Sequence, residues 1–444
     1  MNLKTPNRLA RLAAKLSALL LAPLILTGCW DSVEINNRSV ILEFAVDKYL
    51  GDNDTSKPLD DQNRYEITYS IPDMAKLSGI ESLATDMKTN ILVTAPTIAT
   101  SLDDLETRTR NTITFSHVKV ILLGEELLKD AKLFEESIDA ITRGRVIARN
   151  VPILAVKGRT EDAMNIENSQ QPLLGLYMMN YFNNKERPQA YFKSQLLGNF
   201  IKDMQDTGIA TMPIFHLADN EEGNTEKPDD NASSASKSDI SSDAAASDVT
   251  ASEAAEDDGK ASSTGEEASS TGYDISGGAI IKNYELVEYV DKDVVRGQLI
   301  VDGDIKNAPV VIEYDGYPLT YIIQHASSRK KFRTIDGQLS LVVELDIDGS
   351  IAEYVSTDAN NIFNTPSMDE IKMLLANEIL RQAFIAIDKS HEINVDFLHV
   401  GQAMYRKEPD MWDKYKPSWE DEGFRNFPIH INANVNIENT GIIQ

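Results

Sequence analysis

From Asp219 to Gly272 the chain changes character. The segment contains no aromatic side chain, and its 15 acids face 3 lysines, a net of -12. A stretch so poor in apolar surface cannot offset the entropy of ordering its backbone. It reads as a disordered acidic linker or surface insert. It divides the 444 residues into an amino-terminal region, 29–218, and a carboxy-terminal region, 273–444, the latter divisible into two domains near residue 325. Each part is long enough to bury a core of its own.

The formal charge of the whole chain is -27. A body so acidic repels phosphate backbones, so nucleic acid is not an expected partner. With one cysteine, Cys29, no intrachain disulfide can form and no cysteine cluster can hold zinc or iron–sulfur.

That cysteine sits in a telling place. Lys4, Arg8, Arg11 and Lys15 precede an apolar run from Leu16 to Leu26, broken only by Ser17 and Pro23. This is the charged and apolar order of a secretory signal, and the run is too short to span a bilayer comfortably. It ends in Leu26-Thr27-Gly28-Cys29, the form of a lipobox. The expected outcome is a diacylglyceryl thioether on Cys29 and cleavage after Gly28. Two acyl chains, at about 0.8 kcal/mol per buried methylene, hold a protein on a membrane where one chain does so only marginally.

Along the rest of the chain, strand signals cover Ser39–Val46, Arg64–Ile71, Val118–Leu123 and Val151–Val156. Pro152 marks an edge or a strand start. Helical spacing covers Leu102–Arg110, Ala131–Arg143 and Tyr191–Met204. Beyond the acidic segment, Gly277–Tyr284 reads as a strand. Val310–Tyr314 and Leu319–Gln324 flank the turn signal Asp315-Gly316. Leu339–Ile347 stops at a second such signal, Asp348-Gly349, and resumes at Ile351. Ser367-Met368-Asp369-Glu370 has the form of a capping box and opens a helix with Ile371, Leu374, Leu375, Ile379, Ala383, Phe384 and Ile387 on one face. Pro428–Ile437 closes the chain as a strand. Runs of strands beside alternating elements predict a multi-domain α+β fold, with mainly antiparallel sheets flanked by helices.

No phosphate-binding glycine loop, nucleophile elbow or zinc-protease motif occurs. His391 and His399, eight apart, favour no metal geometry, and neither a metal nor a cofactor is expected. Arg143, Arg145 and Arg149 form a basic cluster best read as a solvated face. This inventory favours binding or structure over catalysis.

Several stretches together resemble the Ger(x)C family, the C subunit of bacterial spore nutrient-germinant receptors. The most specific is Cys29-Trp30-Asp31 followed by Glu34-Ile35-Asn36 and a strand ending in Asp47-Lys48. Ser116-His117-Val118-Lys119 leads into a strand and Gly124-Glu125. Arg143 follows a helix and precedes a strand with Lys157-Gly158. Gly278–Lys282 and Arg296-Gly297 resemble the second conserved block. Asp396-Phe397, Gly401, Trp412, Trp419 and Phe424 fit its end. The acidic segment is longer than the family pattern, and Gly144 replaces an acid.

The resemblance implies a non-catalytic lipoprotein, anchored on the outer face of the spore inner membrane and working with the A and B subunits in assembly and signalling. It implies three α+β domains. A competing reading is the solute-binding lipoprotein of a transporter, which has two parallel-sheet lobes around a cleft. Residue types alone place Trp412 and Trp419 in a core, with Pro417 interrupting any helix between them. They make His117 a structural histidine, and put Trp30 at the membrane interface or against the first domain.

Overall fold

The structure is a computed structural model that describes residues 38–53, 56–73, 87–144, 147–166, 173–184, 186–217, 273–354 and 365–439. Cys29, Trp30, Asp31, Glu34, Ile35, Asn36, Arg145 and the acidic segment lie outside the described residues.

The first part runs β1 (Arg38–Val40), β2 (Glu43–Lys48), β3 (Tyr65–Pro72), β4 (Lys88–Ala95), α1 (Ile98–Arg108), β5 (Thr112–Thr114), β6 (Val120–Gly124), α2 (Glu125–Leu128) and α3 (Ala131–Gly144). It continues with β7 (Ile153–Val156), α4 (Thr160–Met164), α5 (Leu174–Asn183), α6 (Leu197–Asp206) and β8 (Ile209–Leu217). After the acidic segment come β9 (Tyr273–Lys282), β10 (Glu285–Val290), α7 (Lys292–Asp302), β11 (Ala308–Tyr314), β12 (Tyr317–Ile335), β13 (Gln338–Tyr354) and α8 (Thr365–Glu392). The chain closes with α9 (Val400–Lys407), α10 (Pro409–Ser418), a π turn over Trp419–Gly423 and β14 (Ile429–Asn439).

Eight strands form one sheet in the order β10-β9-β8-β7-β6-β2-β3-β4. Its centre, β2-β6-β7-β8, is parallel, and antiparallel pairs flank it on both sides. The apolar runs explain the centre: all five residues of β6 and all four of β7 are buried, as strands covered on both faces require. Alternate residues feed two cores. Phe44, Val46, Ile121 and Leu123 pack with α1, α3 and α6 through Leu105, Phe134 and Phe200. Ala45, Val120, Leu122 and Leu154 pack with α4 and α5 through Met164, Leu174 and Met178. Pro152 lies just before β7, a central strand, so it marks a strand start and not an edge.

The second sheet, β11-β12-β13-β14, is antiparallel except for the parallel pair β13–β14. α8 lays Ile371, Leu375, Ile379, Ala383 and Ile387 into its core and Leu374 against it, whereas Phe384, expected on the same face, is exposed. That helix begins at Thr365, so Ser367 lies within its first turn rather than capping it; Pro366 suits that turn because its missing N–H would have no partner there. The fold is thus α+β with mainly antiparallel pairing.

Further sequence expectations differ from the structure, among them the helix expected from Tyr191, which begins at Leu197. The acidic segment joins β8 to β9, which pair antiparallel from Ile209↔Lys282 to Leu217↔Tyr273. β9 and β10 therefore complete the first sheet, and the composition break marks a long connection between neighbouring strands, not the end of a core. Residue 325 lies within the single strand β12. Asp348-Gly349 is not a turn, since β13 runs straight through it and the turn sits at Asp336-Gly337. Gly349 answers a different need: a Cβ there would lie 2.1 Å from the Ile322 carbonyl oxygen and 2.7 Å from the Tyr321 ring, whose hydroxyl passes over β13 to donate to the Asn436 carbonyl at 2.7 Å.

Candidate binding clefts at the junction

The amino-terminal signature stretches converge at the carboxyl ends of β2, β6 and β7. Connections diverge there, from β2 toward β3 and from β6 toward β7, which is where open sheets place ligands. Asp47, 7% exposed, accepts the Thr160 N–H at 3.1 Å and the Thr160 hydroxyl, and burial pushes its carboxyl up to about 6. A Cβ on Gly124 would overlap that carboxylate. The Glu125 N–H donates to the Gly158 carbonyl at 3.1 Å, and the Gly158 N–H returns to Glu125 Oε2 at 3.0 Å. Arg159 pairs with Glu66 and Glu161, Lys129 with Glu125 and Glu126, and Lys48 with Asp130. A cavity of about 440 Å³ opens here. Its charges answer one another, so the arrangement knots three strand ends together.

The carboxy-terminal stretches converge at the junction between the two sheets. Arg296, buried in α7, donates to Gln382 Oε1 at 2.6 Å and to the Pro309 carbonyl at 2.5 Å. Gly297 lets α8 approach, since a Cβ there would lie 2.5 Å from the Gln382 carbonyl. Asp396 accepts the N–H groups of Val400 at 2.8 Å and Gly401 at 2.7 Å, and the Trp419 indole at 3.3 Å. Burial outweighs these bonds and pushes its carboxyl up to about 6. A Cβ on Gly401 would lie 2.8 Å from Trp419 Nε1 and 2.9 Å from the Trp412 ring. The two tryptophans meet edge to face at 5.4 Å, and Trp419 packs on Phe424 at 5.5 Å. Pro417 sits inside α10 near its end without interrupting it. His117 is exposed and contacts the Ser116 hydroxyl at 2.9 Å. Arg143 is exposed and pairs with Asp139 at 2.6 Å.

Sequence reasoning missed the charges at this junction. Lys193, Asp302 and Lys330 are far apart in sequence, so no local pattern announces them. Asp302 bonds Lys193 at 2.8 Å and Lys330 at 3.0 Å. Burial alone would raise the Asp302 carboxyl, but the two ammonium groups hold it well below the usual range. Beside it His399 adopts a left-handed backbone, φ 55°, and its Nδ1 has no hydrogen-bond partner. Burial, with Lys193 next, pushes its imidazole down to about 4, so it is neutral at pH 7.

The Asp396–Gln402 segment separates two clefts. One, of about 450 Å³, includes Tyr181, Arg187, Phe192, Lys193, Asp203 and His399 in its walls. The other, of about 470 Å³, includes Thr207, Lys282, Asn394, Asp396, Trp412 and Trp419. Both draw walls from both sheets' surroundings. Among the described residues no cluster of His, Asp and Glu could hold a metal ion, and no helix is long and apolar enough to cross a membrane.

Comparison with known proteins covers nearly the whole chain. Residues 31–217 match the family described as spore germination protein N-terminal domain, and residues 276–441 match spore germination B3/GerAC like, C-terminal. Spore germination protein A3 of Bacillus subtilis is 20% identical over 96% of this chain and 98% of its own length. Spore germination protein B3 of the same organism is 21% identical over 97% and 99%. The crystal structure of the GerBC protein superposes with a TM-score of 0.51 at 16% identity, covering 90% of this chain and 99% of that one.

Proposed function

This chain belongs to the Ger(x)C family of spore germination proteins, and we propose that it is the lipid-anchored C subunit of a nutrient-germinant receptor. In this reading it is a non-catalytic component, held by Cys29 on the outer face of the spore inner membrane. It assembles there with the A and B subunits. The observation that carries the reading is one of position. The first family match begins at residue 31, immediately behind the lipobox cysteine, and the second runs to residue 441. The family match thus starts directly after the proposed anchor site, and two acyl chains on Cys29 would keep the matched body within reach of membrane partners.

The competing solute-binding reading needs two parallel-sheet lobes that close around a cleft. Here the second sheet is largely antiparallel, and Ile209, Ile280 and Val290 of the first sheet share one apolar core with α7, α8 and the second sheet. A joint packed in that way does not open like a hinge.

Fractionation of spores tests the anchor. A Cys29→Ala variant is expected to leave the membrane fraction and to abolish nutrient-triggered germination where no paralogue compensates. Retention in membranes after a high-salt wash would sink the lipid-anchor reading. Failure of the wild-type protein to co-purify with a multi-span partner would sink the subunit reading.

A further inference from the structure

The three polar clefts differ in charge. The strand-end cavity has Asp47, Glu66, Glu125 and Glu126 against Lys48 and Arg159. The tryptophan cleft has Asp206, Asp396 and Glu420 against Lys282 and Lys416. The remaining cleft reverses the balance: Arg187, Lys193 and Lys202 outnumber Asp203 and Asp304. A concave surface with a net charge of +1 runs against the composition of a chain at -27. We propose that this cleft binds a small organic anion by its carboxylate, with Arg187 as the clamp.

Arg187 is prepared for the task. Its guanidinium lies 3.7 Å from the centre of the Tyr181 ring. Held over an aromatic face, a guanidinium can keep its N–H fork for bidentate recognition of a planar anion. The loop that carries it is fixed at both ends. The Arg187 N–H donates to the Asn184 carbonyl at 3.3 Å, and Gln189 and Lys306 exchange backbone bonds at 2.8 and 3.3 Å. Lys193 shares the Asp302 carboxylate with Lys330, so that trio keeps one positive charge in excess. Arg187 and Lys202 form no ion pair with a carboxylate among the described residues. His399 stands in the same wall with its Nδ1 buried and without a partner. Burial and the neighbouring Asp302 hold the Asp304 carboxyl above the usual carboxylate range.

Charge and shape set the ligand class. A lining of +1 matches a monoanion better than a phosphate dianion. Phe182 and Phe192 supply an apolar wall for a short hydrocarbon body, and about 450 Å³ falls within the range of small-molecule sites. This inference concerns a cleft of the folded body and is independent of the membrane anchor.

Calorimetric titration of the full-length lipidated protein in neutral detergent tests it, with isovalerate, acetate and inorganic phosphate as probes. Saturable binding of isovalerate, weaker binding of acetate and phosphate, and loss of affinity with added salt are expected. Arg187→Lys keeps the charge but removes the fork, and should weaken isovalerate about tenfold. Lys202→Gln should weaken it several-fold. Both positions are exposed, so thermal melting should match the parent and rule out misfolding. No saturable isovalerate binding up to about 10 mM would overturn the proposal. So would preference for phosphate, or unchanged affinity in Arg187→Lys.

Discussion

At the scale of single residues, the family signature is largely a set of clearances and caps. Gly124 leaves room for the Asp47 carboxylate, and Gly401 leaves room for two indole rings above Asp396. Both aspartates sit where burial raises their pKa to about 6. In the unfolded chain such groups titrate near 3.9. The folded state therefore binds these protons more tightly. The stability that protonation contributes is complete below about pH 4 and is lost as pH rises through 6. Each group is worth about 2–3 kcal/mol across that window. Asp47→Asn is neutral throughout and can still accept the Thr160 N–H. His399, held down to about 4, contributes with the opposite sign in this window, so the comparison is of differences: relative to Asp47→Asn, thermal melting of the parent should show a loss of about 2–3 kcal/mol of stability between about pH 4 and pH 7. Parallel profiles for parent and variant would show that Asp47 does not titrate in this range.

At the scale of elements, period and punctuation in the sequence located most strands and the long helix α8, because their apolar residues face one core. What escaped was set by contacts distant in sequence. α7 is buried from Val294 to Val301, with Arg296 and Gln298 among those residues, so it shows no polar face to betray its period. Asp348-Gly349 has a turn's letters, but its glycine serves the Tyr321 ring from a neighbouring strand. Of the clefts, the strand ends were legible as motifs, while Arg187 and the Lys193–Asp302–Lys330 cluster were not. The acidic segment was legible as a break, although its place between two paired strands was not. That place yields a test. Replacing residues 218–272 with a five-residue turn shortens the connection between Leu217 and Tyr273, which already face each other across the ladder. Loop-closure entropy then favours the folded state by about 2 kcal/mol. Thermal melting should rise by several degrees. A shortened chain that melts lower would mean the segment contributes contacts to the fold.

At the scale of the whole molecule, the two sheets share one apolar core and one part-buried charge cluster. Lys193 comes from the first part, Asp302 from the end of α7, and Lys330 from β12, whose ammonium also donates to the Leu398 carbonyl at 3.0 Å. Replacing a buried ion pair by apolar residues can be neutral, but removing one partner strands the others without compensation, at about 3–5 kcal/mol. Asp302→Ala strands two lysines at once, on opposite sides of the joint. Because the core is continuous there, the parent should unfold in a single transition. The variant should lose stability in the junction first, so that amide protons around Gln189 and Lys306 exchange sooner than those of β6 and β7. Hydrogen exchange read residue by residue distinguishes this from general weakening. Equal acceleration in β6, β7 and the 189–306 bridge would place the cluster's contribution in global stability and not in the joint. Protection unchanged in all three would mean that the lysines find other partners and that packing alone holds the halves together.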